Sequence, residues 1–159
     1  MVDRQKVIDL LMRHEGFRAY SYRDTRGKLT IGIGFNLDAP GAAERCAAAG
    51  VDYEAVCYAG HAVTQAQAQA LLDEGITSAQ DVATMTVTGL MDMPEPVQLV
   101  VIDMIFNLGS GKFGEFRRMI AALEAHDWGQ AANEMRASAW FLQVGTRATN
   151  DIDLVLSVL

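Results

Sequence analysis

Between Met12 and Asn36 the chain reads MRHEGFRAYSYRDTRGKLTIGIGFN, and within it the hydrophobic period changes from that of a helix to that of a strand. Upstream, Val7, Ile8, Leu11 and Met12 recur at helical spacing, and Gly16 supplies a stop. Downstream, a strand through Tyr22, the turn Asp24-Thr25-Arg26-Gly27-Lys28 and a second strand from Leu29 to Phe35 read as a hairpin. In that second strand Leu29, Ile31, Ile33 and Phe35 share one face, and Thr30, Gly32 and Gly34 share the other. The second face is nearly bare, which lets a ligand approach the backbone.

Two carboxyl groups border this hairpin. Glu15 continues the i, i+4, i+8 series of Val7 and Leu11, so it points toward the apolar side of its helix. An apolar setting and a helix C-terminus both disfavour an ionised carboxylate, and a carboxyl that keeps its proton suits a general acid. A frayed last-turn glutamate in water is the plainer alternative. Asp24 lies across the turn, and any tight register brings Thr30 near it; the plainer alternative is a solvated turn aspartate. Paired carboxyl groups facing a bare strand fit acid–base work on a bulky polar substrate, as in glycoside hydrolysis.

The same residues carry a resemblance. The stretch HEGFRAYSYRDTRGKLTIGIGFN resembles the active-site segment of the phage-type lysozymes, glycoside hydrolase family 24. That pattern has a Glu-Gly pair, nine residues from the Glu to an Asp, six more to a Thr, then Ile-Gly-Ile-Gly; Glu15, Asp24 and Thr30 match it. A second block, Asp103 to Gly109, is similar to another part of the family, where the residues matching Phe106 and Asn107 lie at the cleft. Phe106 would pack on a sugar ring, or belong to the core, and Asn107 would bind a polar edge. Gly34 and Asn36 would complete the groove. Trp140, Gln143 and Arg147 repeat the order of the family's Trp, Gln and Arg, and the resemblance implies an arginine that supports the acid. Such an arginine favours the ionised form and so opposes burial. From Ala39 to Met93 only length and helix pattern align.

Composition sets the bounds. A length of 159 residues fits one domain, half of them are hydrophobic, and no run approaches a membrane span. Net charge is −7, which argues against general nucleic-acid binding. The charge is uneven: residues 1–30 carry seven Lys/Arg against four Asp/Glu, or +3, and the remainder six against sixteen, or −10. The basic end would face an anionic wall polymer, or be ordinary solvated surface. The N-terminus is amphipathic and charged rather than a signal peptide, so synthesis in the cytoplasm is expected, with release to the wall by a holin-type route, in a virion or within a larger protein. Cys46 and Cys57 are then expected as free thiols. The scattered His14, His61 and His126 show no metal-ligand spacing, so no metal or cofactor is expected.

The remaining pattern predicts helices. One covers about Val2 to Glu15, and a short one Ala42 to Ala49. Thr64-x-x-Gln67 is a capping box opening a long helix to about residue 88. Pro94 and Pro96 open another, apolar through Val97, Val100, Val101, Met104, Ile105 and Leu108 and ended by Gly109-Ser110-Gly111. Helices over Gly114–Ala125, Trp128–Ala137 and Arg147–Val158 follow, with Met104, Met119 and Met135 as core filler.

These readings converge on a mainly helical α+β, lysozyme-like fold in one catalytic domain, residues 1–159. It has a small hairpin lobe at about 14–63, a connecting helix at about 64–88, and a helical lobe at about 94–159 joined by helix 1–15. The resemblance implies a monomeric muramidase. It would cut the β-1,4 bond between N-acetylmuramic acid and N-acetylglucosamine in peptidoglycan with inversion, Glu15 being the acid and Asp24 and Thr30 holding water. The alternatives are a lytic transglycosylase, which manages without the water-holding pair, and an inactive peptidoglycan-binding module.

Overall fold

Helix α1 (Arg4–Glu15) forms where the apolar period places it, with Val7, Ile8, Leu10 and Leu11 buried. It stops at Gly16, whose N–H donates to the Met12 carbonyl at 2.9 Å and whose φ of +71° suits glycine. The computed structural model describes residues 2–159. Its fold is α+β and mainly helical, as the sequence predicts. The chain divides into two compact units, one of residues 8–75 and one of residues 2–7 with 76–159.

The smaller unit holds a three-stranded antiparallel sheet in the order β1 (Arg18–Arg23), β2 (Leu29–Gly32), β3 (Phe35–Asn36). Tyr22 pairs with Thr30 and Arg23 with Leu29, and a bulge separates these from the Arg18–Gly32 pair. On the other edge of β2, Thr30 pairs with Asn36 and Ile31 with Phe35. The run from Leu29 to Phe35 is therefore not the single strand that its alternation suggested. It reverses at Ile33–Gly34, because Gly32 and Gly34 both take positive φ, +66° and +68°. Ile31 and Ile33 still reach the same core and are fully buried.

Two short helices follow, α2 (Ala42–Ala48) and α3 (Tyr53–Tyr58). The first matches expectation. The second was not anticipated, although Asp52 caps it by accepting from the Ala55 N–H at 3.1 Å. Cys46 on α2 is buried, Cys57 on α3 is half-buried, and both thiols are free. Burial pushes both thiols up from their ordinary range, which makes them sluggish nucleophiles. Helix α4 (Gln65–Thr86) opens with the capping box read from the sequence: Gln67 N–H donates to Thr64 Oγ1 at 3.1 Å, and Thr64 N–H donates to Gln67 Oε1 at 2.9 Å.

In the larger unit, helix α5 (Glu95–Leu108) buries Val97, Val100, Val101, Ile102, Met104 and Ile105. Gly109 ends α5, but the chain re-enters helix at once as α6 (Ser110–Gly114). The expected single helix after it is α7 (Arg117–Glu124), which begins only beyond Phe116, whose ψ of +47° breaks the helical run. Helix α8 (Trp128–Arg136) and helix α10 (Thr146–Leu156) lie within a residue or two of their predicted bounds, and α9 (Ala139–Val144) was not anticipated. Elements of five or six residues are too short for a periodic signal. Met104, Met119 and Met135 are fully buried core. Among the described residues no helix is long and apolar enough to cross a membrane.

A β-carbon on Gly32 would lie 3.0 Å from the Ala68 β-carbon of α4 and would occupy the left-handed backbone region. Gly32→Ala is therefore expected to destabilise the protein by about 1–2 kcal/mol from backbone strain alone, measurable as a lowered urea midpoint at unchanged slope.

Candidate active site

The loop from Asp24 to Lys28 is built by its own backbone. Asp24 N–H donates to the Lys28 carbonyl and Gly27 N–H to the Asp24 carbonyl, both at 2.9 Å. The Asp24 side chain closes the same loop: Oδ1 accepts from the N–H groups of Arg26 and Lys28, each at 2.8 Å. The Lys28 N–H is the largest influence holding the Asp24 carboxyl below its usual range, with Arg26 N–H and the charges of Arg26 and Lys28 adding to it. Asp24 is thus a fixed, ionised carboxylate.

Thr30 sits one strand position beyond the turn and is buried. Its Oγ1 donates to the Lys28 carbonyl at 3.0 Å, which turns the oxygen's lone pairs away from that bond. Lys28 therefore holds Asp24 through its N–H and Thr30 through its carbonyl. Asn36, paired with Thr30 on the neighbouring strand, accepts from Asp38 N–H through Oδ1 at 2.9 Å. Asp38 in turn accepts from Leu29 N–H at 2.8 Å and from Arg23 Nη1 at 3.3 Å. The sequence reading missed Asp38, whose role depends on the Phe35–Asn36 strand folding back.

Glu15 is half-buried at the end of α1. A β-carbon on Gly34 would fall 2.9 Å from its Oε2, 3.1 Å from Cδ and 3.2 Å from Cγ. The bare face expected to leave room for a ligand is thus filled by protein at both glycines, by Ala68 over Gly32 and by the Glu15 side chain over Gly34. The glycines serve close packing, and Gly34 lets the Glu15 side chain approach the backbone. Tyr22 also belongs here and was not singled out from the sequence. It pairs with Thr30, its ring lies 4.3 Å from Arg18 Cζ, and its phenol responds to the charges of Glu15 and Asp24.

The other candidates lie in the larger unit. Phe106 and Asn107 are half-buried at the end of α5, and Asn107 Oδ1 accepts from Trp140 Nε1 at 3.0 Å. Trp140 meets Phe116 edge to face at 6.4 Å, and both line a cavity of about 700 Å3 with Leu108, Lys112, Met119 and Ser138. Arg147 is buried and grips Asp103 with two bonds, Nε to Oδ2 at 2.8 Å and Nη2 to Oδ1 at 2.9 Å. Asp151, one turn further along α10, is fully buried, and among the described residues neither of its oxygens receives a hydrogen bond. Burial first, then the neighbouring Asp103 charge and a hydrogen bond to Asp103, push its carboxyl up to about 10, against the pull of Arg147. It therefore carries a proton at neutral pH and donates to Asp103, which explains why, as an acceptor, it has no partner.

A carboxylate fixed by backbone amides, a hydroxyl held by the same turn and a second carboxyl at a helix end fit the acid–base chemistry of glycoside hydrolysis. The family model described as phage lysozyme matches residues 12–149, and the chain belongs to that family. It is thus a lysozyme-type glycoside hydrolase. It is similar to "Probable T4-type lysozyme 1" of Dictyostelium discoideum, 27% identical over 94% of this chain and 92% of that protein. It is also similar to "Probable T4-type lysozyme 2" of the same organism, 24% identical over 92% and 91%. A third relative is the "Pre-baseplate central spike protein Gp5" of Enterobacteria phage T4, 27% identical over 95% of this chain but only 28% of that protein.

The Asp151 proton gives a stability prediction. The folded state holds a proton that an unfolded aspartate gives up near pH 4, so the group's stabilising contribution is complete below that pH and is lost as pH rises toward about 10. Asp151→Asn keeps a donor and does not titrate. Relative to the parent, its urea midpoint is expected to rise with pH between 5 and 9, by at most about 1.4 kcal/mol per pH unit. A constant offset at all pH values would contradict the protonated Asp151.

Proposed function

We propose that this chain is a muramidase that hydrolyses the β-1,4 bond between N-acetylmuramic acid and N-acetylglucosamine in peptidoglycan, with inversion. The observation that carries the reading is the double grip of Lys28 on Asp24 and Thr30. Asp24 is ionised and has one oxygen engaged by amides, so Oδ2 remains to accept. Thr30 has spent its hydroxyl proton on the Lys28 carbonyl, so its oxygen also accepts. A water molecule shared by two acceptors directs both hydrogens toward the protein. Its free lone pair then faces outward, as a nucleophile requires. Glu15 protonates the leaving oxygen, and attack by the held water inverts the anomeric carbon.

Asn36 in the smaller unit, and Phe106 and Asn107 in the larger, are the substrate-binding residues of this reading. No cofactor enters this chemistry. The water-holding pair weighs against a lytic transglycosylase, which excludes water as nucleophile. The relatives include two probable T4-type lysozymes and a pre-baseplate central spike protein, and action on the cell wall is the proposal that fits both kinds.

Glu15→Gln is expected to lower peptidoglycan turnover by about 10²–10⁴-fold, the usual contribution of a general acid, with an unchanged melting temperature. Near-normal lysis by that folded variant would remove Glu15 from the mechanism. Thr30→Ala should lower kcat far more than it raises KM, because water placement matters in the transition state, while Thr30→Ser should keep most activity. The first-formed product, followed by NMR before mutarotation, should be the α-anomer. A β-anomer would make Asp24 a nucleophile, and a 1,6-anhydro end would establish the transglycosylase.

A further inference from the structure

We propose that Tyr22 is a further substrate-contacting residue of this site: its hydroxyl donates a hydrogen bond to the sugar undergoing cleavage, and Arg18 holds its ring in place for that contact. The proposal rests on the lysozyme reading of Glu15 and Asp24. Register supplies the first argument. Tyr22 lies directly opposite Thr30 in the β1–β2 ladder, and side chains paired across an antiparallel ladder project from the same face. The Tyr22 ring therefore rises from the face that carries the Thr30 hydroxyl.

Support for the ring is the second. The Arg18 guanidinium carbon lies 4.3 Å from the ring centroid, within cation–π distance. The bulge between Arg18 and Tyr22 departs from regular pairing just where this arginine turns back over the ring. Electrostatics supply the third. Burial pushes the Tyr22 phenol up, Arg18 opposes this, and the charges of Glu15 and Asp24 both push it further up. The phenol thus lies within electrostatic reach of both carboxyl groups and keeps its proton.

The fourth is a shortage of donors. Asp24 is an ionised acceptor, and the Thr30 proton is committed to the Lys28 carbonyl. The Glu15 proton is the one transferred to the leaving oxygen. A sugar ring between these groups presents hydroxyl and N-acetyl oxygens that need a neutral donor. Within this hairpin Tyr22 supplies one.

A purely structural tyrosine would be replaced without loss by phenylalanine, so Tyr22→Phe decides the matter. Binding of soluble, uncross-linked glycan strands is compared for Glu15→Gln and Glu15→Gln/Tyr22→Phe, with hydrolysis by Tyr22→Phe alone measured in parallel. The double variant is expected to bind roughly 5- to 10-fold more weakly, the loss that follows from one hydrogen bond. Tyr22→Phe alone should lose a similar factor in kcat/KM with an unchanged melting temperature. Arg18→Gln should shift both quantities in the same direction by less, and should add nothing to Tyr22→Phe. Unchanged affinity and unchanged kcat/KM on Tyr22→Phe, with Glu15→Gln inactive, would overturn the Tyr22 assignment and leave the muramidase reading standing. A fully active Glu15→Gln, or a protein that does not bind glycan strands, would overturn the muramidase reading, and the Tyr22 proposal with it.

Discussion

The backbone of one residue, Lys28, governs the geometry of this turn. The Lys28 N–H fixes Asp24, the Lys28 carbonyl accepts a hydrogen bond from the Thr30 hydroxyl, and the same carbonyl closes the loop by accepting from Asp24 N–H. A carboxylate that accepts two short amide bonds has little rotational freedom and stays ionised well into acid. A threonine whose hydroxyl already donates to that carbonyl has only acceptor capacity left. Both properties are set mainly by backbone atoms, and the charges of Arg26 and the exposed Lys28 side chain add to the first. The ladder to the third strand then carries this local order to Asn36 and Asp38, and Asp38 returns it to Leu29 and Arg23.

Glu15 meets the hairpin differently. Glu15 closes a helix, and its carboxyl rests against the Ile33–Gly34 turn at a separation that leaves no room for a β-carbon. The bare Gly34 backbone leaves the space that this carboxyl occupies.

The larger unit contains a buried cluster of another kind. Asp103 and Arg147 form a two-bond ion pair inside the core, and Asp151 joins them as a neutral acid. Two ionised aspartates beside one arginine would leave an excess negative charge in a poorly solvated place, which is costly. Retaining one proton makes the cluster neutral and turns a repulsive contact into a hydrogen bond. The arrangement fixes the relation of α5 to α10 with directional bonds where the surrounding packing is apolar and non-directional.

What the sequence by itself determined was what depends on neighbours a few residues apart. The Thr64–Gln67 capping box, the Gly16 stop, the Asp24–Lys28 turn and the apolar stripe of α5 are all local, and each is found where the residues place it. The candidates Glu15, Asp24 and Thr30 were legible for the same reason: they lie within sixteen consecutive residues. Tertiary structure alone decided the rest. Alternation from Leu29 to Phe35 read as one strand because glycine has no side chain to signal its φ, and only packing against Ala68 and Glu15 selects the positive value. The short α3, α6 and α9 form without a full period of apolar residues. The proton on Asp151 follows from Asp103, forty-eight positions away in the chain, and from the exclusion of water around both. Charge state in a core depends on distance and solvation, and neither is written in the order of residues until the chain has folded.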